Sequence, residues 1–185
     1  PVFKDMEKHW AKAEVGRAVE AGLFSGVSED TFSPDTAATR AQLVTALYRM
    51  AGSPETGTCD FTDVKETDWF AKAVAWAAEQ GIVQGSDGKF NPYGALTREE
   101  LAVMLQRFAR SRGYAAAGTE LVLDAYKDQD KVSTWAAEAM RWAVSQKLIN
   151  GMTTDTLVPA GTTTRAQLAV ILMRYLDAEP NFAQA

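Results

Sequence analysis

Three stretches of this 185-residue chain carry the same landmarks in the same order, so one local plan must serve three times. An aromatic-x-Asp step opens each: Phe3-Lys4-Asp5, Phe61-Thr62-Asp63 and Tyr126-Lys127-Asp128. Trp10, Trp69 and Trp135 follow, and Gly26, Gly85 and Gly151 each lie 16 residues after their Trp. An apolar-x-Pro step comes next, as Phe32-Ser33-Pro34, Phe90-Asn91-Pro92 and Leu157-Val158-Pro159. Five residues after each Pro stands a Thr-Arg pair: Thr39-Arg40, Thr97-Arg98 and Thr164-Arg165. The repeats span 1–52, 60–112 and 124–177. A unit of roughly 55 residues buries too little surface to be stable alone, so the three are expected to pack as one module.

Two helices are expected per repeat. In the first, Val15, Ala18, Val19 and Leu23 match Val74, Ala77, Ala78 and Ile82, then Met140, Ala143, Val144 and Leu148. Steps of three and four put each set on one helical face. Gly22 and Gly81 fall where a glycine ends that helix; Lys147 holds the third place, so a different ending is expected there. The second helix carries Leu43, Ala46, Leu47 and Met50, matched by Leu101, Met104, Leu105 and Phe108, and by Leu168, Ile171, Leu172 and Tyr175. It opens with Thr39 to Gln42, Thr97 to Glu100 and Thr164 to Gln167, the spacing of a capping box. Segments 52–57 and 112–119 read as linkers. The tail beyond Asp177 reads as a frayed exit linker. The expected fold class is therefore all-α, three helix-loop-helix repeats.

The arginines are the most informative residues. A helix N-terminus is partially positive, so a cation in the first turn costs about 0.3–1 kcal/mol. Arg40, Arg98 and Arg165 all sit there. One reading is an anion site, with guanidinium and free helix-start N–H groups gripping a carboxylate. The other is an ion pair with an Asp of a neighbouring repeat. Both stand at this point. Trp10, Trp69 and Trp135 are expected first as core anchors and second as flat faces for sugar rings. Trp76 and Trp142, present only in repeats two and three, read as packing. Asp5, Asp63 and Asp128 suit turn chemistry or acceptance of sugar hydroxyls. Gly26, Gly85 and Gly151 suit positive φ or close backbone approach.

Other chemistries fall away. The net charge of −5 argues against nucleic acid or an anionic membrane surface. No membrane-spanning run and no signal peptide stand out, and a start inside a repeat reads as a module cut from a longer protein. His9 is the single histidine, so no His-based metal cluster or Ser-His-Asp triad is available. Asp124, Asp128 and Asp130 lack the glycine and closing glutamate of a calcium loop. No phosphate or dinucleotide fingerprint occurs, so no cofactor and no catalytic residue is expected. A threefold pattern suits multivalent binding better than one paired-carboxylate active site.

Taken together, these landmarks resemble the S-layer homology domain in three tandem copies, nearly the whole chain. The short motif reads Thr39-Arg40-Ala41-Gln42, Thr97-Arg98-Glu99-Glu100 and Thr164-Arg165-Ala166-Gln167. The resemblance implies a pseudo-threefold, three-pronged spindle with a shared helical core. It implies an extracellular place at the bacterial cell wall and S-layer. It also implies non-covalent binding of secondary cell-wall polysaccharide through a pyruvylated N-acetylmannosamine terminus, with a fused or neighbouring S-layer protein as partner. A structural module making lattice contacts between proteins, without glycan, is the alternative. Departures from the motif are Gln42 and Gln167 for Glu, Tyr126 and Leu157 for Phe, and Lys147 for Gly. Three inter-repeat clefts are expected. Arg40 is expected to face Asp63, Trp69 and Gly85; Arg98 to face Asp128, Trp135 and Gly151; and Arg165 to face Asp5, Trp10 and Gly26. The first two of these are expected to be better formed, because repeats one and two keep more of the motif.

Overall fold

The computed structural model describes residues 2–185; Pro1 lies outside them. Six α-helices appear among the described residues: α1 (Lys12–Glu20), α2 (Arg40–Met50), α3 (Ala71–Glu79), α4 (Arg98–Ser111), α5 (Ala137–Ser145) and α6 (Arg165–Ala178). Short 3-10 turns fill several loops, and no strand occurs among the described residues. The fold is all-α. The apolar stripes are where the periodicity places them. Val15, Ala18, Val74, Ala77, Met140 and Ala143 are buried on the first helices, and Leu43, Leu47, Leu101, Leu105, Leu168 and Leu172 on the second.

The stripes are covered by neighbours, not by partners of the same repeat. α2 packs on α3, α4 on α5, and α6 on α1. Each second helix thus completes the next repeat's first helix, and the third closes onto the first. Backbone hydrogen bonds follow the same cycle. Ala38 N–H donates to Thr163 O, Thr163 N–H to Leu96 O, and Leu96 N–H to Ala38 O, at 2.8–2.9 Å. All three residues are fully buried, so these backbone groups are satisfied only by neighbouring repeats.

Helix ends show how the sequence builds this. Thr39, Thr97 and Thr164 accept from the N–H three residues on. Gln42 and Gln167 return the bond to the Thr N–H, completing a capping box. Glu100 does not, because its carboxylate is engaged elsewhere, so the box expected in repeat two is half made. The next two N–H groups of each helix are also taken. Arg40 and Ala41 donate to Gly94 O and Pro92 O, Arg98 and Glu99 to Gly161 O and Pro159 O, and Arg165 and Ala166 to Thr36 O and Pro34 O. Among the described residues, the one start donor of these three helices left without an acceptor is the Thr97 N–H, which Glu100 does not bond.

Two expectations about chain ends fail. Lys147 ends α5 just as Gly22 and Gly81 end their helices: it adopts φ 58°, and Leu148 N–H reaches Ala143 O. The lysine is held in the left-handed region by the bonds around it. The tail is not frayed. Phe182 is buried against Tyr114, Trp142 and Tyr175, while Ala115 N–H donates to Ala183 O and Ala185 N–H to Gly113 O.

Candidate functional site

Each glycine loop is the corner of a groove. A side chain at Gly26 would meet the Phe3 ring and Ser28 O; at Gly85, the Phe61 ring and Lys89 O; at Gly151, the Tyr126 ring and Thr153 O. The aromatic that opens each repeat therefore seals its own loop, which only glycine fits. Gly85 alone of the three has positive φ, 71°. The N–H groups of these glycines meet no acceptor among the described residues.

The aspartates clamp the same loops. Asp5 accepts from Phe32 and Ser33 N–H, Asp63 from Phe90 and Asn91, and Asp128 from Leu157 and Val158. In each pair the second residue has positive φ: Ser33 61°, Asn91 59° and Val158 51°. A carboxylate holds an unfavourable backbone in place. Burial pushes these carboxyls up, but the paired N–H bonds outweigh it, so all three titrate below the usual range. Turn chemistry engages both oxygens of each, and none of the three lines the glycine-loop grooves described next.

Three grooves result. The first, about 250 Å³, is lined by the Gly26 loop, Gln42, Arg49, Trp69 and Arg165. The second, about 850 Å³, holds the Gly85 loop, Arg40, Glu100, Arg107 and Trp135. The third, about 270 Å³, holds the Gly151 loop, Arg98, Gln167, Arg174 and Trp10. The arginines meet the glycine loops the sequence suggested. The tryptophans do not: Arg40 shares its groove with Trp135 in place of Trp69, Arg98 with Trp10 in place of Trp135, and Arg165 with Trp69 in place of Trp10. The cause is the helix exchange. A groove's floor is the second helix of one repeat, and that helix packs beside the next repeat's first helix, whose leading Trp overhangs it. Every groove so draws on all three repeats. These tryptophans are not core anchors either, being 67%, 59% and 60% exposed in chain order, whereas Trp76 and Trp142 are buried.

The guanidinium groups are set into the groove walls. Arg165 donates to Phe32 O and Ser25 O, with its guanidinium 4.6 Å from the Phe32 ring centre. Arg98 donates to Leu157 O and Asn150 O, with no ring beneath it because Leu157 stands where repeats one and two have Phe. Both are about 95% buried and, among the described residues, neither has a carboxylate partner. Burial holds each guanidinium below its ordinary value. Asp5 opposes this for Arg165; Tyr126 and Asp128 oppose it for Arg98, while Arg174 adds to it by repulsion. Arg40 also donates to its loop carbonyl, Phe90 O, but its other arm pairs with Glu100 at 2.8 Å. The ion-pair reading thus holds for one arginine, with a Glu in place of the expected Asp.

A second arginine per groove escaped the sequence reading. Arg49, Arg107 and Arg174 each lie nine residues after a Thr-Arg arginine and donate to Leu23 O, Ile82 O and Leu148 O, all at 3.3 Å. The spacing alone would have found them. Two guanidinium groups and an exposed indole converge on each glycine loop, an arrangement suited to an anionic sugar.

The S-layer homology domain model matches residues 2–44, 60–102 and 125–169, and the chain belongs to that family. It is 26% identical to the amylopullulanase of Thermoanaerobacterium thermosulfurigenes over 97% of this chain and 10% of that protein. It is 26% identical to the cellulosome-anchoring protein of Acetivibrio thermocellus over 89% of this chain and 38% of that one. It is 30% identical to the surface-layer 125 kDa protein of Lysinibacillus sphaericus over 91% of this chain and 14% of that one. The chain spans well under half the length of these relatives. Family and relatives place it at the bacterial cell surface, in an S-layer setting.

Proposed function

We propose that this module anchors a surface protein non-covalently by binding secondary cell-wall polysaccharide, through its pyruvylated N-acetylmannosamine terminus, in the inter-repeat grooves. The cyclic helix exchange supports a pseudo-threefold, three-pronged spindle, each prong a pair such as α2 with α3. The observation that carries the reading is the convergence of two arginines, one glycine loop and one exposed Trp, drawn from three repeats, in each groove. The arginine and the open glycine N–H hold the ketal carboxylate, and the indole packs on the sugar's C–H face. The module itself is non-catalytic, and a fused or neighbouring S-layer protein is its cargo. Calorimetry against purified pyruvylated wall polymer, before and after mild acid removes the ketal, tests this. A charge-assisted hydrogen bond contributes roughly 1.5–3 kcal/mol, so ketal removal is expected to weaken binding about tenfold or more. Equal binding to both polymers would overturn it.

A further inference from the structure

The first helix of repeat one leaves open a face that its counterparts in repeats two and three keep covered. Residues 118–125 lie across the outer side of α5 as they lead into Tyr126. A side chain at Gly118 would strike the α5 backbone at Arg141 and Trp142, and Thr119 N–H donates to the Ser145 hydroxyl at 3.0 Å. The 3-10 turn Val122–Ala125 then packs on α5, with Leu123 buried. On α3 the cover is shorter. Gly57 N–H donates to the Glu79 carboxylate at 2.9 Å, Cys59 packs on the core, and Ala75, on the same face as Glu79, is buried. By position, Glu20 of α1 matches Glu79 and Ser145, and Gly16 matches Ala75 and Arg141. Around these two residues lies an open groove of about 480 Å³, bordered by Phe3, Met6, Val15, Gly16, Val19 and Glu20. A side chain at Gly16 would meet nothing among the described residues.

We propose that the α1 groove is a peptide-docking site, and that its occupant is the polypeptide leading into Phe3 of a longer protein, laid across α1 as residues 118–125 are laid across α5. The acceptor is in place: Glu20 stands where Ser145 and Glu79 each take a backbone N–H from the incoming chain. The clearance is in place too. A backbone crosses a helix closely only where one side lacks a side chain. Gly118 supplies that on α5, and on α1 the helix supplies it as Gly16, at a mid-helix position where glycine weakens the helix. The floor is apolar: Phe3, Met6 and Val15 are buried, while Val19 is only partly covered and Val2 is 88% exposed at the rim. An apolar side chain laid there would remove that surface from water. The donated N–H comes four residues ahead of Phe61 and seven ahead of Tyr126, and the same distances from Phe3 fall ahead of Pro1. The matching region of each relative sits within a much longer chain. The groove shares no residue with the three glycine-loop grooves, so the proposal is independent of the glycan reading. Docking of this kind makes the join to repeat one rigid, as the joins between repeats are.

The molecule's own cover serves as the probe: the octapeptide of residues 116–123, Ala-Ala-Gly-Thr-Glu-Leu-Val-Leu, whose last leucine stands three residues ahead of Tyr126. Fused ahead of Pro1, it keeps that register to Phe3. Amide hydrogen exchange of α1 is followed in the full chain, in this fusion and in a fusion of the same eight residues in scrambled order. The octapeptide fusion is expected to slow α1 exchange about tenfold and to shift the Gly16, Val19 and Glu20 amide resonances, while the scrambled fusion does neither. Gly16→Leu, which fills the groove, is expected to abolish the slowing, and Glu20→Ala to reduce it about threefold. Circular dichroism checks that each variant keeps its helical content. Unchanged exchange in the octapeptide fusion overturns the proposal, as does equal slowing by both fusions or slowing that survives Gly16→Leu. So does a free octapeptide that shifts the same three amides when the fusion does not, which gives the groove to a segment of another molecule.

Discussion

Repeats two and three build the same loop from unlike residues. Repeat two uses types that tolerate a left-handed backbone: Gly81, Gly85 and Asn91. Repeat three reaches φ 58° with Lys147 and φ 51° with Val158, a β-branched residue that rarely visits this region. Repeat two also rests Arg40 over the Phe90 ring, at 5.0 Å, where repeat three offers only Leu157. The backbone nevertheless bonds alike in both. Local preference writes the loop in repeat two, while surrounding contacts impose it in repeat three. Those contacts are Asp128, only 9% exposed, the first turn of α4 docked on Pro159 and Gly161, and Phe182 packed on Trp142.

Acid tests both loops at once. The folded carboxyl pKa values of Asp5, Asp63 and Asp128 lie below their unfolded value of about 3.9. Their stabilisation is therefore complete above that value and is lost as pH falls through the folded values. Urea midpoints are expected to be flat near neutrality and to drop steeply below about pH 4; a midpoint independent of acid would remove the clamps from the account. Single substitutions then separate the repeats. Asp128→Ala is expected to cost about 3–5 kcal/mol and Asp63→Ala about 2–3, since two charge-assisted bonds go in each and the former site is drier. Equal losses in urea denaturation would erase the contrast.

Glycine reverses the order. Gly85→Ala meets both the Phe61 ring and a left-handed backbone, and is expected to cost about 2–3 kcal/mol. Gly151→Ala meets the Tyr126 ring and loop carbonyls at ordinary φ, for about 1–2 kcal/mol. Thermal melts ranking these the other way would show that repeat three is the stricter loop after all. The smallest effect is a gain. Lys147→Gly is expected to add about 1 kcal/mol, by relieving a left-handed lysine. No gain would mean that lysine is unstrained there.

What could be read in advance follows from how far each interaction reaches along the chain. The helix faces, the Thr caps and the arginine-to-glycine-loop matches are carried by spacing within a repeat or by its recurrence. The Trp assignments are off by one repeat because an apolar stripe does not name its partner: Leu47 and Val74 announce two buried faces but not that α2 belongs on α3. The aspartate clamps needed the loop's φ values, which Val158 disguises. Arg49, Arg107 and Arg174 were within reach, since their nine-residue interval is plain. Phe182 lies in a segment whose composition resembles a linker, and only its aromatic partners reveal it as core. The Glu100 contact was visible as a departure between repeats, but its meaning depends on where Arg40 ends up.

The closure of α6 on α1 has a mechanical side. Arg17 grips Asp177, in the last turn of α6, through two bonds at 2.7 and 3.1 Å. The tail beyond it is stitched to residues 113–115 and to the aromatic cluster around Phe182. A pull on the tail first unzips those stitches, and then must shear α6 sideways off α1 while its first turn still hangs on Thr36 and Pro34. Load is thereby shared between the first and last repeats, and no single repeat can be peeled away alone.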